Sequence, residues 1–206
     1  VQAGEWNFFG PVQDQEFGWR LHYADLAVNK VLAAASRKEI RDFVDLALIH
    51  AAIIPLWHAL WAAPGKDDTW SPGSLVDKIR AHSSFRQAEA EGIVSIAEVK
   101  VPQVICLVRS ALEEAVAIFP NLPAGTAGKL FIEPDGDVVI KAETISGETM
   151  TLDARRGGAF PSGPEIDHVM VLRVMQINGK ITPPFWLPSA TPASSQACLE
   201  SGVTCR

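Results

Sequence analysis

The stretch from Leu46 to Ala63 is the most apolar part of the chain, and whatever fold forms must cover it. His50, Pro55 and His58 interrupt it, which is wrong for a lipid-spanning helix of about 20 apolar residues. The stretch therefore predicts a buried core helix around which amphipathic elements gather, and no membrane association. With 206 residues, 48% of them hydrophobic, the chain can build that cover without disulfides. Its three cysteines, Cys106, Cys198 and Cys205, match neither a disulfide framework nor zinc-ligand spacing, so reduced thiols and a cytoplasmic location are expected. Val1 is no initiator and no signal-like run opens the chain, which sets up the expectation that something preceded it.

Elements on either side of the core stretch follow from periodicity and punctuation. Residues 1 to 20 place Trp6, Phe8, Phe9, Phe17 and Trp19 among Gly10, Pro11 and Gly18, a pattern of short extended pieces. From Asp25 to about Ser36 the period becomes helical, with Ala27, Val31 and Ala34 on one stripe and Asp25 suited to the amino end. A second helix is predicted from Lys38 into the Trp57 to Ala62 region, kinked at Pro55. Ser71-Pro72 opens a third, through about Ala81, and a fourth runs from about Pro102 to Phe119.

Beyond Pro123 the chemistry turns to β. Lys129 to Glu133, Pro134-Asp135-Gly136 and Asp137 to Lys141 predict a hairpin, with Thr149 to Leu152 and His168 to Val174 as further strands. The expected fold class is α+β, mainly a helical bundle. It divides into residues 1–123, an extended segment plus helical lobe; residues 124–180, small and β-rich; and residues 181–206, a Pro/Ser-rich tail expected to be disordered.

Charge excludes little. The net charge of −6 and the scattered basic residues do not advertise a sequence-independent grip on nucleic-acid backbone. The five histidines lack metal-ligand spacing, and Gly125-Thr126-Ala127-Gly128-Lys129 is followed by a predicted strand where a phosphate loop needs a helix.

The densest cluster of unusual residues is Leu21-His22-Tyr23-Ala24-Asp25-Leu26-Ala27-Val28-Asn29-Lys30, followed by Arg37-Lys38-Glu39-Ile40-Arg41-Asp42-Phe43-Val44-Asp45-Leu46. Bottom-up, Lys30 lies on the margin of its helix's apolar stripe, and Asp42 and Asp45 are neighbours on one helical face near an amino end. Lys30 then either reaches a cleft between helices or snorkels at the surface, and Arg41, Asp42 and Asp45 either serve a site or make ordinary first-turn ion pairs. Asp25 has a simple reading as a helix start, and Arg37 as a solvated turn residue.

The two segments resemble the D-L-A-x-N-K-x-x-A and R-D-x-x-D-L signature of the AbiEii/AbiGii toxin-like nucleotidyltransferases. The resemblance covers roughly residues 16 to 50 and thins toward Pro123. It implies the C-terminal lobe of a polymerase-beta-like nucleotidyltransferase, the toxin of a type IV toxin–antitoxin or abortive-infection system. Such an enzyme moves a nucleotide from a nucleoside triphosphate to an RNA or protein acceptor, with Mg2+ bridging the phosphates and an antitoxin protein as partner. On this resemblance Lys30, Asp42 and Asp45 are the catalytic candidates, and Arg37 and Asp25 the substrate-binding ones. The family's upstream half, a Gly-Ser turn with an Asp-x-Asp pair, has no match here: Gly73-Ser74 precedes a helix, and Asp135-Gly136-Asp137 is a hairpin turn. The chain alone is therefore expected to hold no metal and to be inactive, and the alternative is a non-enzymatic helical module that binds a protein or RNA.

Overall fold

The computed structural model describes residues 6–14, 18–91, 93, 99–134 and 136–156. They form an α+β protein, mostly helical, in which five helices share one core, the predicted core stretch running through two of them, with short antiparallel strand pairs alongside in sequence. In chain order these are β1 (Trp6–Asn7), β2 (Val12–Asp14), β3 (Gly18–Arg20), α1 (Tyr23–Ser36), α2 (Ile40–Ala52) and α3 (Leu56–Ala62). Then come α4 (Pro72–His82), α5 (Val101–Ile118), β4 (Lys129–Ile132), β5 (Met150–Asp153) and β6 (Arg155–Arg156). The predicted strand His168 to Val174 and the tail 181–206 lie outside the described residues.

The core stretch is two helices rather than one kinked helix. Pro55 supplies no amide donor and its ring would clash with the preceding turn, so α2 stops at Ala52 and Pro55 becomes the N-cap of α3. The two axes bend by 112° at this break. His50 steadies the corner by accepting the Leu56 amide on Nδ1 at 3.3 Å. No single helix among the described residues is long and apolar enough to cross a membrane, and α3 is buried on nearly every side, through Leu56, Trp57, His58, Ala59, Leu60 and Ala62.

The other helices present one face each to α3 and to one another. Ala24, Ala27, Val28, Val31, Ala34 and Ala35 make the inner face of α1, and these small side chains bring its backbone close to its neighbours. Phe43 and Leu46 from α2, Leu75, Val76 and Ile79 from α4, and Ile105, Val108, Leu112 and Ala115 from α5 complete one core. Ser71 caps α4 through a reciprocal capping box with Ser74, and Pro72 follows at the first helical position, as that dipeptide predicts.

The β region forms the expected hairpin in part. The turn forms, with Gly136 at φ 90° and its amide donating to the Glu133 carbonyl at 2.8 Å. Its second arm is too short for a strand but pairs with the first through the Ile132–Val138 bridge, the Glu133 amide donating to the Asp137 carbonyl at 2.7 Å and the Val139 amide to the Phe131 carbonyl at 3.1 Å. β4 pairs as well with β5, Lys129 opposite Asp153 through Ile132 opposite Met150, and the chain then crosses to pair β6 with β1. His58 stands between the two arms of the hairpin. Its ring faces the Val139 carbonyl through Nδ1 at 2.8 Å and accepts the Phe131 amide on Nε2 at 2.9 Å, so the groups a hairpin ladder would use are in part engaged by α3.

This contact makes folding sensitive to acid. His58 accepts a hydrogen bond on one nitrogen, which requires the neutral ring, and burial lowers its pKa from 6.5 to about 4. A base with a depressed folded pKa binds fewer protons folded than unfolded between those values. Its contribution is therefore complete above about pH 6.5 and is lost as pH falls toward 4, on the order of 3 kcal/mol in all. His58→Gln, which can donate and accept at the same two backbone groups, is expected to flatten that part of the pH–stability curve. Urea unfolding from pH 4 to 7.5 measures it; equal slopes for the two proteins would contradict the assignment.

Candidate functional site

The two charged segments, Leu21 to Lys30 and Arg37 to Leu46, fold into α1 and α2, which pack on each other, and their charged residues separate into a buried set and a half-exposed set. His22 is the N-cap of α1, accepting the Ala24 amide on Nδ1 at 3.2 Å. Its ring lies between Phe9 and Tyr23, with centroids 3.7 and 4.3 Å away. Burial, followed by the nearby charges of Arg20 and Lys66, lowers its pKa to about 3, so the ring is neutral. Tyr23 next to it is pushed up to about 12 by burial and by Asp137, and keeps its proton.

Asp25 occupies the first turn of α1, as its carboxylate predicts, but it is fully buried. One oxygen accepts the Phe8 amide at 2.8 Å and the other the Phe9 amide at 2.9 Å. Its counter-ion is Lys66, whose Nζ lies 2.7 Å from Oδ1, with both side chains wholly out of solvent. Lys66 also donates to Asn29 Oδ1 at 2.9 Å, to Asn7 Oδ1 at 3.2 Å and to the Asp25 carbonyl at 3.3 Å. Three ammonium protons thus meet an oxygen from Asp25, Asn29 and Asn7, which offsets the loss of water. Burial pulls the Lys66 ammonium below the ordinary lysine range, and the Asp25 charge opposes that pull.

The half-exposed set lies where α1 meets α2. Lys30 Nζ approaches Asp45 Oδ2 at 2.6 Å, and the two side chains are 30% and 28% exposed. Arg37, just past the end of α1, makes a forked contact with Asp42 at 2.7 and 3.0 Å. Asp42 is buried and its partner half exposed, and hydrogen bonding to Asp42 raises the already high pKa of Arg37.

The structure therefore brings Lys30 to Asp45 and Arg37 to Asp42, and among the described residues no ion pair joins Lys30 to Asp42. Asp25 is apart from both pairs, turned inward to Lys66. Lys66 was not legible as a site residue, because it lies outside both charged segments, just after Pro64-Gly65 at the end of the apolar stretch. A signal was nevertheless present: Asp25 falls beside Ala24 and Val28 on the buried stripe of α1, and a carboxylate there demands a cation. Among the described residues no three His, Cys, Asp or Glu side chains converge, and Asp42 and Asp45 each face a cation. Those donors do not fit a pair of magnesium ions. No protein-family model, curated protein or solved structure matches the chain.

The two ion pairs differ in what their loss leaves behind. Lys66→Met strands a buried carboxylate and is expected to cost about 3–5 kcal/mol, whereas Lys30→Met, at a pair open to water, is expected to cost under about 1 kcal/mol. Urea denaturation of the two variants compares them directly, and similar losses would show that burial does not separate the sites.

Proposed function

We propose that this chain is the helical lobe of a polymerase-beta-like nucleotidyltransferase, with Lys30 as its contact to the triphosphate. The observation that carries the reading is the Lys30–Asp45 pair. It joins the two segments that bear the family resemblance, and it stays partly open to solvent while Asp25 and Asp42 are buried. An ammonium held by one carboxylate can exchange that partner for a phosphate oxygen. Asp45 would then orient the lysine, and the forked Arg37–Asp42 contact would hold the turn between α1 and α2.

In the reaction class proposed, an acceptor hydroxyl of RNA or protein attacks the α-phosphorus and pyrophosphate leaves. Catalysis there is mostly positioning and charge neutralisation, with magnesium supplying much of the latter. Asp25, Asp42 and Asp45 are each committed to a cation of the chain, so on this reading the metal-holding groups are not these three. Membership in a toxin–antitoxin or abortive-infection system, with an antitoxin protein as partner, extends the same resemblance.

A second reading, a non-enzymatic module that binds a protein or RNA, is favoured by a specific observation. Lys30 and Arg37 are already closed by carboxylates of the chain itself, as in an ordinary structural helix pair. Incubation of the purified 206-residue chain with labelled nucleoside triphosphates, magnesium and RNA or protein acceptors is expected to give no transfer. Addition of a lobe carrying a Gly-Ser turn and an Asp-x-Asp pair is expected to give transfer that Lys30→Ala abolishes without loss of fold. Robust labelling by the chain alone would place the catalytic centre elsewhere. No transfer in the combined protein would leave the binding-module reading standing.

A further inference from the structure

Asp25 and Asn29 are one helical turn apart, so both side chains leave α1 on the same face, and both are held by the ammonium of Lys66. Lys30 is the next residue, about 100° further round the helix, and it leaves toward α2 and Asp45. One turn of α1 is thus clamped on its inner side and carries the exposed lysine on its outer side. We propose that Lys66 is a positioning residue: by fixing Asn29 and Asp25 it sets the direction in which Lys30 leaves the helix. The proposal rests on the reading of Lys30 as a phosphate contact and adds a residue that the two signature segments do not contain.

The clamp has a rigid base. Lys66 follows a tight turn in which its own amide donates to the Ala63 carbonyl at 3.0 Å. Gly65 lies so close to Gly128 that an added Cβ would come within 2.0 Å of the Gly128 carbonyl oxygen, and the Gly128 amide donates to the Trp61 carbonyl at 2.8 Å. Gly128 itself has φ 86°, where a side chain is strained. The backbone of Lys66 therefore cannot slide along α1 without breaking the contact between the α3 end and the start of β4. On the other flank, the Phe8 and Phe9 amides hold Asp25 in its rotamer. Contacts from three parts of the chain thus converge on one turn of α1, and the neutral Asn29 link is the one that reaches the residue beside Lys30.

The test uses the full chain and two variants of graded severity. Asn29→Ala removes only the neutral link and leaves the buried ion pair. The double variant Asp25→Asn with Lys66→Met removes both charges, so that neither is stranded. The first readout is the ammonium signal of Lys30 in a chain with isotope-labelled lysine nitrogens, assigned by its disappearance in Lys30→Met. The expected result is that Lys30 ammonium protons, held by Asp45 in the unaltered chain, exchange with water faster in Asn29→Ala and faster still in the double variant. The second readout is binding of inorganic tripolyphosphate, expected to weaken in the same order.

Unchanged Lys30 exchange in Asn29→Ala, which keeps the buried pair and the fold, overturns the positioning role whatever the double variant does. Failure of the underlying reading looks different. If the unaltered chain shows no tripolyphosphate binding that depends on Lys30, the phosphate contact is lost, while the order of Lys30 exchange rates still decides whether Lys66 positions it.

Discussion

A lysine and an aspartate with no access to water are the point on which the rest of this structure depends. Burying two such charges costs several kcal/mol each unless their geometry and hydrogen bonds offset it. Here the offset is nearly complete: Asp25 accepts two backbone amides and an ammonium, and Lys66 finds side-chain oxygens on Asn7, Asn29 and Asp25. The partners come from the amino-terminal segment, from α1 and from the turn after α3, which local propensity could not bring together. An apolar cluster of the same volume would hold these pieces as tightly. What the polar cluster adds is register, because a shift of the amino-terminal segment by one residue takes the Asn7 side-chain oxygen from Lys66 and Phe8 from its buried place.

The same turn of α1 links this clamp to the functional reading. The D-x-x-x-N-K arrangement faces two ways: its aspartate and asparagine turn inward to Lys66, and its lysine turns outward to Asp45. One segment thus carries a buried anchor, Asp25 with Asn29, and a half-exposed ion pair, Lys30 with Asp45. The charges that remain open to water lie at the α1–α2 seam, where Asp42, buried, fixes the Arg37 end. The buried histidines follow the opposite rule. His22 and His58 are kept neutral by burial and spend their nitrogens on backbone groups, one at the start of α1 and one between α3 and the β region.

Much of the helical architecture was legible in the sequence, for physical reasons that particular residues illustrate. Ser71-Pro72 marks the start of α4 through capping and a fixed φ, and the period of Ile105, Val108, Leu112 and Ala115 marks the buried face of α5. Pro55 was legible as a disturbance but not as a full break, because the 112° corner depends on His50 capping α3 across it. The β turn at Gly136 and its start of a hairpin were legible and the added pairing with β5 was not; nor was His58, 73 residues from Phe131 in sequence, which takes the Phe131 amide and the Val139 carbonyl out of the hairpin ladder. Lys30, Asp42 and Asp45 could be chosen as charged residues at helical spacing. Which carboxylate meets which cation depends on side-chain reach across a helix pair, and Lys66 enters only through tertiary contact.

The claim that most of this rests on is that Asp25 and Lys66 hold the amino-terminal segment against α1. Amide hydrogen exchange at Phe8 and Phe9 measures it most directly, since both amides donate to the Asp25 carboxylate and neither residue is part of a strand pair. In the unaltered protein both amides should exchange as slowly as those in the centre of α1, through opening of the whole core, and in folded Asp25→Ala both should lose that protection while α1 keeps its own. Rapid exchange at Phe8 and Phe9 in the unaltered protein would show that the segment comes away without the core, and would contradict the account.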